Sequence, residues 1–176
     1  MMKPIRTKQA KMKKLIFIRH GKAEEMVADI SDFERSLTIR GKSQSRLMAQ
    51  LLRSHEKSLG MVITSPAFRA IETALIFGKE FGLSHDAMQI SSDLYFNLEP
   101  GAYISFFSSR SEDTDTITLF GHNFLISEMA AFFAADDTEV LPKSGVLCLT
   151  FETVSWSSLK KASGKTEYFL TPKSHL

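Results

Sequence analysis

The sequence predicts an α/β fold: three layers, with a mostly parallel central sheet flanked by helices. Three observations predict it. Two short apolar runs, "LIFI" at 15–18 and "GMVITS" at 60–65, read as buried strands, and a helix-like segment follows each. The same strand-then-helix unit recurs in "DTDTITLFGHNFLISEMAAFFAAD". Finally, "SGVLCLTFE" and "KTEYFLTP" read as two more strands, a hairpin at the side or edge of the sheet.

In chain order, "LTIRGKSQSRLMAQLLRSHEKS" carries the first helix. Thr38 is its expected N-cap, and Leu47, Met48, Leu51 and Leu52 share one apolar face. In "TSPAFRAIETALIFGKEFG", Ser65 is the expected N-cap and Pro66 the first helical residue, where its missing N–H costs nothing. Ala67, Ala70, Ala74, Phe77 and Phe81 form the core stripe, and Gly82 can end the helix. Further on, Thr116 to Phe120 reads as a strand, Gly121-His122-Asn123 as a tight turn, and Phe124 to Ala134 as a helix. The region "SSDLYFNLEPGAYISFFSSRSEDTD" is the least legible, with one short helix expected from Ala102 to Ser108.

A chain of 176 residues, 43% hydrophobic and 24% charged, suits one soluble domain with a real core. No apolar run approaches the roughly 18–20 residues of a membrane span, so a cytoplasmic protein without a membrane partner is expected. Residues 1–14 hold six cations and no acid; without them 16 cations face 20 acids, which argues against a nucleic-acid partner for the folded part. Residues 1–12 form a basic head with no apolar core, hence no signal peptide. Either Met12 is the true start or this head is a disordered tail, with 13–176 as the single domain. Cys148, the one cysteine, excludes an internal disulfide and a cysteine-rich metal site; its apolar setting predicts a buried core thiol.

Open α/β sheets build sites where strands end and helices begin. Three such ends carry unusual residues: Arg19-His20-Gly21, Ser65-Pro66 with Arg69 one turn into its helix, and Gly121-His122. Singly, each is more often a satisfied or solvated side chain. Together, two arginines and two histidines describe an anion site. Guanidinium forks hold phosphate oxygens, helix starts add N–H donors, and imidazole can attack phosphorus or move a proton. Gly21 is expected to let backbone approach a ligand.

These residues also carry a resemblance. "RHGKAE" resembles the Arg-His-Gly signature of the histidine phosphatase superfamily, "TSPAFRAIETA" its "SSPxxRAxQTA" segment, and "LFGHNFLISEM" its "GHNP" segment. The finer similarity is to small SixA-type phosphohistidine phosphatases, through the short chain, "RSLTIRGKSQS" and the hairpin tail. It runs from about Lys14 to Pro172 with the motifs in order, and implies a phosphoglycerate mutase-like fold. By that resemblance His20 is the nucleophile, forming a phosphohistidine intermediate. Arg19 and Arg69 clamp the phosphate, His122 completes the pocket, and no metal or cofactor is needed. The expected partners are a phosphohistidine-bearing protein, such as a histidine phosphotransfer protein, and a phosphate or sulfate ion in the pocket; the expected state is a monomer.

Two departures stand out. Mutase-like members carry a glutamate that protonates the leaving oxygen, in a context that "SSDLYFNLEPGAY" does not match. Glu99 and Asp93 are the candidate general acids. A leaving imidazole, with a conjugate-acid pKa of about 6.5, can arrive already protonated, so a missing acid favours P–N over P–O substrates. Phe124 also stands where many relatives have proline. Lys22, Glu24 and Arg35 are expected at the rim, Arg35 as a further phosphate or substrate contact. The expected activity is metal-independent hydrolysis of a protein's phosphohistidine. The alternatives are hydrolysis of small phosphate esters, or phosphate binding without turnover.

Overall fold

The computed structural model describes residues 12–96 and 98–172. The basic head, apart from Met12, lies outside the described residues. Six strands form one sheet: β1 (Lys13–Arg19), β2 (Met61–Thr64), β3 (Met88–Ile90), β4 (Thr116–Gly121), β5 (Val146–Phe151) and β6 (Lys165–Leu170). Their spatial order is β3-β2-β4-β1-β5-β6. The first four in that order run parallel, whereas β5 pairs antiparallel with β1 and β6 antiparallel with β5. The expected mostly parallel sheet with a terminal hairpin is therefore observed. The three-residue β3 at the far edge was not expected; "MQI" is too short and too exposed to show a period.

Alternation along β1 builds two cores. Leu15 and Phe17 join Met129, Ala130 and Phe133 on one face, while Ile16 and Ile18 join Met48, Leu52, Ala74 and Phe77 on the other. Helices α1 (Ile39–His55) and α2 (Phe68–Glu80) cover the second face; α3 (Tyr103–Ser108) and α4 (Leu125–Phe133) cover the first. A strand buried on both sides has to be apolar at every position, which is why "LIFI" shows no alternation. Truncating Phe17 to Ala in such a core costs about 3–5 kcal/mol.

Thr38 caps α1 as expected, its Oγ1 accepting from the Gly41 N–H at 2.9 Å. The start expected for α2 is corrected. Ala67 is the N-cap and Phe68 the first helical residue. Ser65 stands two residues before that N-cap; its hydroxyl accepts from the Ala67 N–H at 3.4 Å and meets His122 Nε2 at 2.7 Å. Gly82 sits just past α2 at φ +65°, a left-handed position that favours glycine. Cys148 is buried, and burial pushes its thiol up to about 12, as a core residue rather than a nucleophile would show.

Lys13 ends as a buried staple rather than a solvated cation. Its ammonium donates to the Thr114 carbonyl at 2.8 Å and to Asp115 Oδ1 at 3.1 Å, and lies over the Trp156 ring. This ties β1 to the chain entering β4, at the end of the strands away from Arg19. Because β1 and β4 are adjacent and parallel, Arg19 lies opposite Gly121, and Thr64 of β2 lies opposite Phe120. Three strands thus deliver His20, Ser65 and His122 to one edge.

Candidate active site

Register places the residues, and local hydrogen bonds orient them. The His20 N–H continues the ladder to the Gly121 carbonyl at 3.0 Å, and the Ser65 N–H reaches the Phe120 carbonyl at 2.9 Å. Behind β1, the Ser144 N–H donates to the carbonyls of Arg19 and His20 at 3.1 and 3.2 Å. The Arg-His backbone is therefore held from both sides.

Gly21 has a packing reason that the sequence does not show. A Cβ there would stand 2.5 Å from Ser45 Oγ and 3.0 Å from the Gly41 carbonyl oxygen. Its bareness lets α1 pack against the end of β1. Gly41 is constrained from the other side, since its Cβ would meet the Lys22 carbonyl oxygen at 2.1 Å.

His20 is 8% exposed, and its Nδ1 lies 2.7 Å from the Gly21 carbonyl oxygen. A carbonyl only accepts, so Nδ1 carries the proton and Nε2 keeps its lone pair. Burial, reinforced by the charges of His122, Arg69 and Arg19, holds the ring's pKa down at about 3. His20 is thus neutral at physiological pH with one basic nitrogen unengaged. Its ring centroid is 5.0 Å from that of His122.

His122 follows β4. Its Nε2 lies 2.7 Å from Ser65 Oγ, and its Nδ1 is buried without a partner among the described residues. Burial, with Arg69, lowers its pKa to about 4. Tyr95 meets the ring edge-on at 5.6 Å. Behind it, Asn123 Nδ2 donates to the Leu141 carbonyl at 3.3 Å, and Ser127 donates to Asn123 Oδ1 at 2.8 Å. Phe124, where relatives have proline, is exposed and leaves the His122 imidazole in place.

The two arginines are gripped on one side each. Arg19 Nη1 donates to the Leu141 carbonyl at 2.9 Å. Arg69 leans back from the first turn of α2, as helical side chains do, and donates from Nη2 to Asp32 Oδ2 at 2.7 Å and from Nη1 to the Asp32 carbonyl. Arg19 Nε and Arg69 Nε are buried and unpartnered among the described residues. His122 Nδ1 and Arg35 Nε likewise make no hydrogen bond among the described residues, and buried polar atoms are nearly always paired, so this strand edge concentrates unmet N–H groups, the chemistry an oxygen-rich ligand would meet.

Arg35 comes close through Asp32: its Nε is 3.1 Å from Asp32 Oδ1, and its Nη1 donates to the Glu24 carbonyl at 3.2 Å. Glu99 and Asp93 lie in the exposed stretch between β3 and α3. Asp93 accepts from Ser91 Oγ at 3.3 Å, and Glu99 precedes the single helical turn at 100–102. Neither has a hydrogen bond or ion pair to His20, His122, Arg19 or Arg69. Sequence reasoning missed Asp32, Tyr95 and the true role of Ser65. An acid three residues before Arg35 was the visible signal for the first; nothing local points to the others.

Comparison with known proteins gives a partial family match. Residues 15–94, which include Arg19, His20 and Arg69, match the histidine phosphatase superfamily (branch 1) model. An uncharacterized protein of Picosynechococcus sp. is 29% identical over 140 residues, covering 77% of this chain and 83% of the relative. Among solved structures, a protein histidine phosphatase SixA complexed with tungstate superposes with TM-score 0.77 at 23% identity, covering 92% of this chain and 98% of its own. A SixA from Agrobacterium tumefaciens gives 0.74 at 19%, covering 91% and 98%. A mycobacterial glucosyl-3-phosphoglycerate phosphatase gives 0.59 at 14%, covering 89% and 97%. The histidine phosphatase superfamily's phosphoglycerate mutase-like architecture, expected from the motifs, is the observed fold.

Proposed function

We propose that this protein is a phosphatase that removes the phosphoryl group from a phosphohistidine on a protein, through a phospho-His20 intermediate. One observation carries the reading: Gly21 holds the proton on Nδ1 of His20, leaving Nε2 as a neutral nucleophile beside His122 and two half-engaged arginines.

In this mechanism Arg19 and Arg69 take the phosphate oxygens with their unpartnered Nε–H groups, and the charge that spreads over those oxygens during transfer is stabilised where it develops. Ser65 donates its hydroxyl proton to His122 Nε2. The ring proton then sits on Nδ1, which donates to a third oxygen. The lone pair of His20 Nε2 attacks phosphorus and the substrate's P–N bond breaks. The leaving imidazole departs neutral, because its second nitrogen arrives protonated. Water then attacks phospho-His20, the P–Nε2 bond breaks, and the electron pair returns to Nε2. The proton stays on Nδ1, donated to the Gly21 carbonyl throughout, and both protons of the water leave with the phosphate. Neither step asks for a separate acid.

The similarity to SixA structures supports a protein substrate. The similarity to a glucosyl-3-phosphoglycerate phosphatase keeps a small ester as the second reading. Arg19, Arg69, His20 and His122 together argue against a binding module without turnover. Among the described residues no helix is long and apolar enough to cross a membrane. A panel of phosphohistidine proteins and sugar phosphates, with His20→Ala as control, tests the reading. Faster turnover of phosphohistidine protein is expected; equal or faster ester turnover contradicts it.

A further inference from the structure

The segment between β1 and α1 is pinned to α2. The Glu24 N–H donates to the Ser36 carbonyl at 2.9 Å, and the Leu37 N–H donates to Glu72 of α2. At its far side, a single helical turn (Asp32–Glu34) sets Asp32 over the start of α2. There one residue gathers four contacts. Its carbonyl and Oδ2 take the two terminal nitrogens of Arg69, Oδ1 lies 3.1 Å from Arg35 Nε, and Tyr95 donates its hydroxyl to Oδ2 at 3.4 Å. Tyr95 in turn packs on His122. Phe33 follows Asp32 and meets both Tyr95 and Phe68 edge-on or tilted, which keeps the turn seated.

We propose that Asp32 is the positioning residue of the phosphate clamp, acting through Arg69 rather than on the substrate. This rests on the phosphate-site reading above. The pattern of contacts separates positioning from blocking. A carboxylate standing in for phosphate would take the guanidinium with both oxygens and leave the backbone out. Here the main-chain carbonyl takes one terminal nitrogen and a single carboxylate oxygen the other, while the second oxygen serves Arg35. That grip uses one proton of each terminal nitrogen and leaves the Nε–H for the ligand. A guanidinium with a free choice of rotamers loses the bidentate geometry that makes arginine specific for phosphate.

The test is tungstate affinity, measured by calorimetry, for wild type, Asp32→Ala, Asp32→Asn, Arg69→Ala and the Asp32→Ala/Arg69→Ala double variant. Asp32→Ala should weaken tungstate binding about tenfold, the scale of one lost charge-assisted contact. In the Arg69→Ala background the same change should cost less than about twofold, because coupled residues are non-additive. Asp32→Asn, which can still accept from Arg69, should stay within about threefold of wild type and covers the case in which the alanine variant does not fold. Tighter tungstate binding by Asp32→Ala, equal losses in both backgrounds, or no binding by wild type would overturn the proposal. Tungstate binding needs no turnover. A wild type that binds it but hydrolyses neither phosphohistidine nor ester would sink the phosphatase reading and leave the role of Asp32 standing.

Discussion

His20 and His122 face each other with ring centroids 5.0 Å apart, and both rings are neutral, with pKa values of about 3 and about 4. Burial disfavours charge on either ring, and two imidazoliums at that distance beside two arginines would also repel one another, so protonating these rings destabilises the folded site.

That relationship makes stability depend on pH with a definite sign. Unfolded histidine titrates near about 6.5. Between that value and the folded ones the unfolded chain binds more protons, so stability rises with pH and is lost as pH falls from about 6.5 toward about 4. Thermal unfolding midpoints should drop between pH 7 and pH 5 in wild type and drop less in a His20→Gln/His122→Gln variant. Parallel curves for the two proteins would show that these rings do not carry the effect.

Ser65 should matter to rate more than to fold. Its hydroxyl holds Nε2 of His122 at 2.7 Å and so orients the ring, and removing it leaves that nitrogen without its partner. Ser65→Ala is expected to lower kcat by about tenfold, the scale of one mispositioned donor at a transition state, with KM little changed. An unchanged kcat in steady-state kinetics would return Ser65 to a purely structural role.

Gly21 is a packing residue, so its replacement should be read in stability. A Cβ there, 2.5 Å from Ser45 Oγ and 3.0 Å from the Gly41 carbonyl oxygen, forces the hydroxyl to turn away and crowds the backbone of α1. Gly21→Ala is expected to cost about 1–3 kcal/mol in denaturant unfolding, as overpacking does. Pairing it with Ser45→Gly should recover part of that loss; no recovery would place the strain elsewhere.

Glu99 and Asp93 are exposed and make no hydrogen bond or ion pair to His20 or His122. Glu99→Gln and Asp93→Asn should each leave phosphohistidine turnover within about twofold of wild type, as surface changes do. A loss of two orders of magnitude in either would make that residue the missing acid.

Much of this was legible in the sequence because the decisive residues sit at strand ends. "LIFI" announced a strand buried on both faces, and the parallel neighbours of β1 then had to bring Gly121-His122 beside Arg19-His20. Arg69 was readable from helix geometry. The supporting residues were not. Ser65 looked like a helix cap because Ser-Pro before a helix usually is one, and only the register of β2 against β4 shows that its hydroxyl meets His122. Tyr95 and Asp32 reach the site from irregular segments that no periodicity describes. Lys13 looked like one more cation in a basic run until its partners at 112–115 folded against it.

The central claim is that phosphoryl transfer passes through Nε2 of His20. Brief reaction with a phosphohistidine donor, rapid quenching at alkaline pH, and phosphorus NMR with peptide mapping would locate the phosphoryl group. The account expects it on Nε2 of His20 in wild type and nowhere in His20→Ala. A phosphoryl group on Nδ1, on another residue, or surviving in His20→Ala would contradict it.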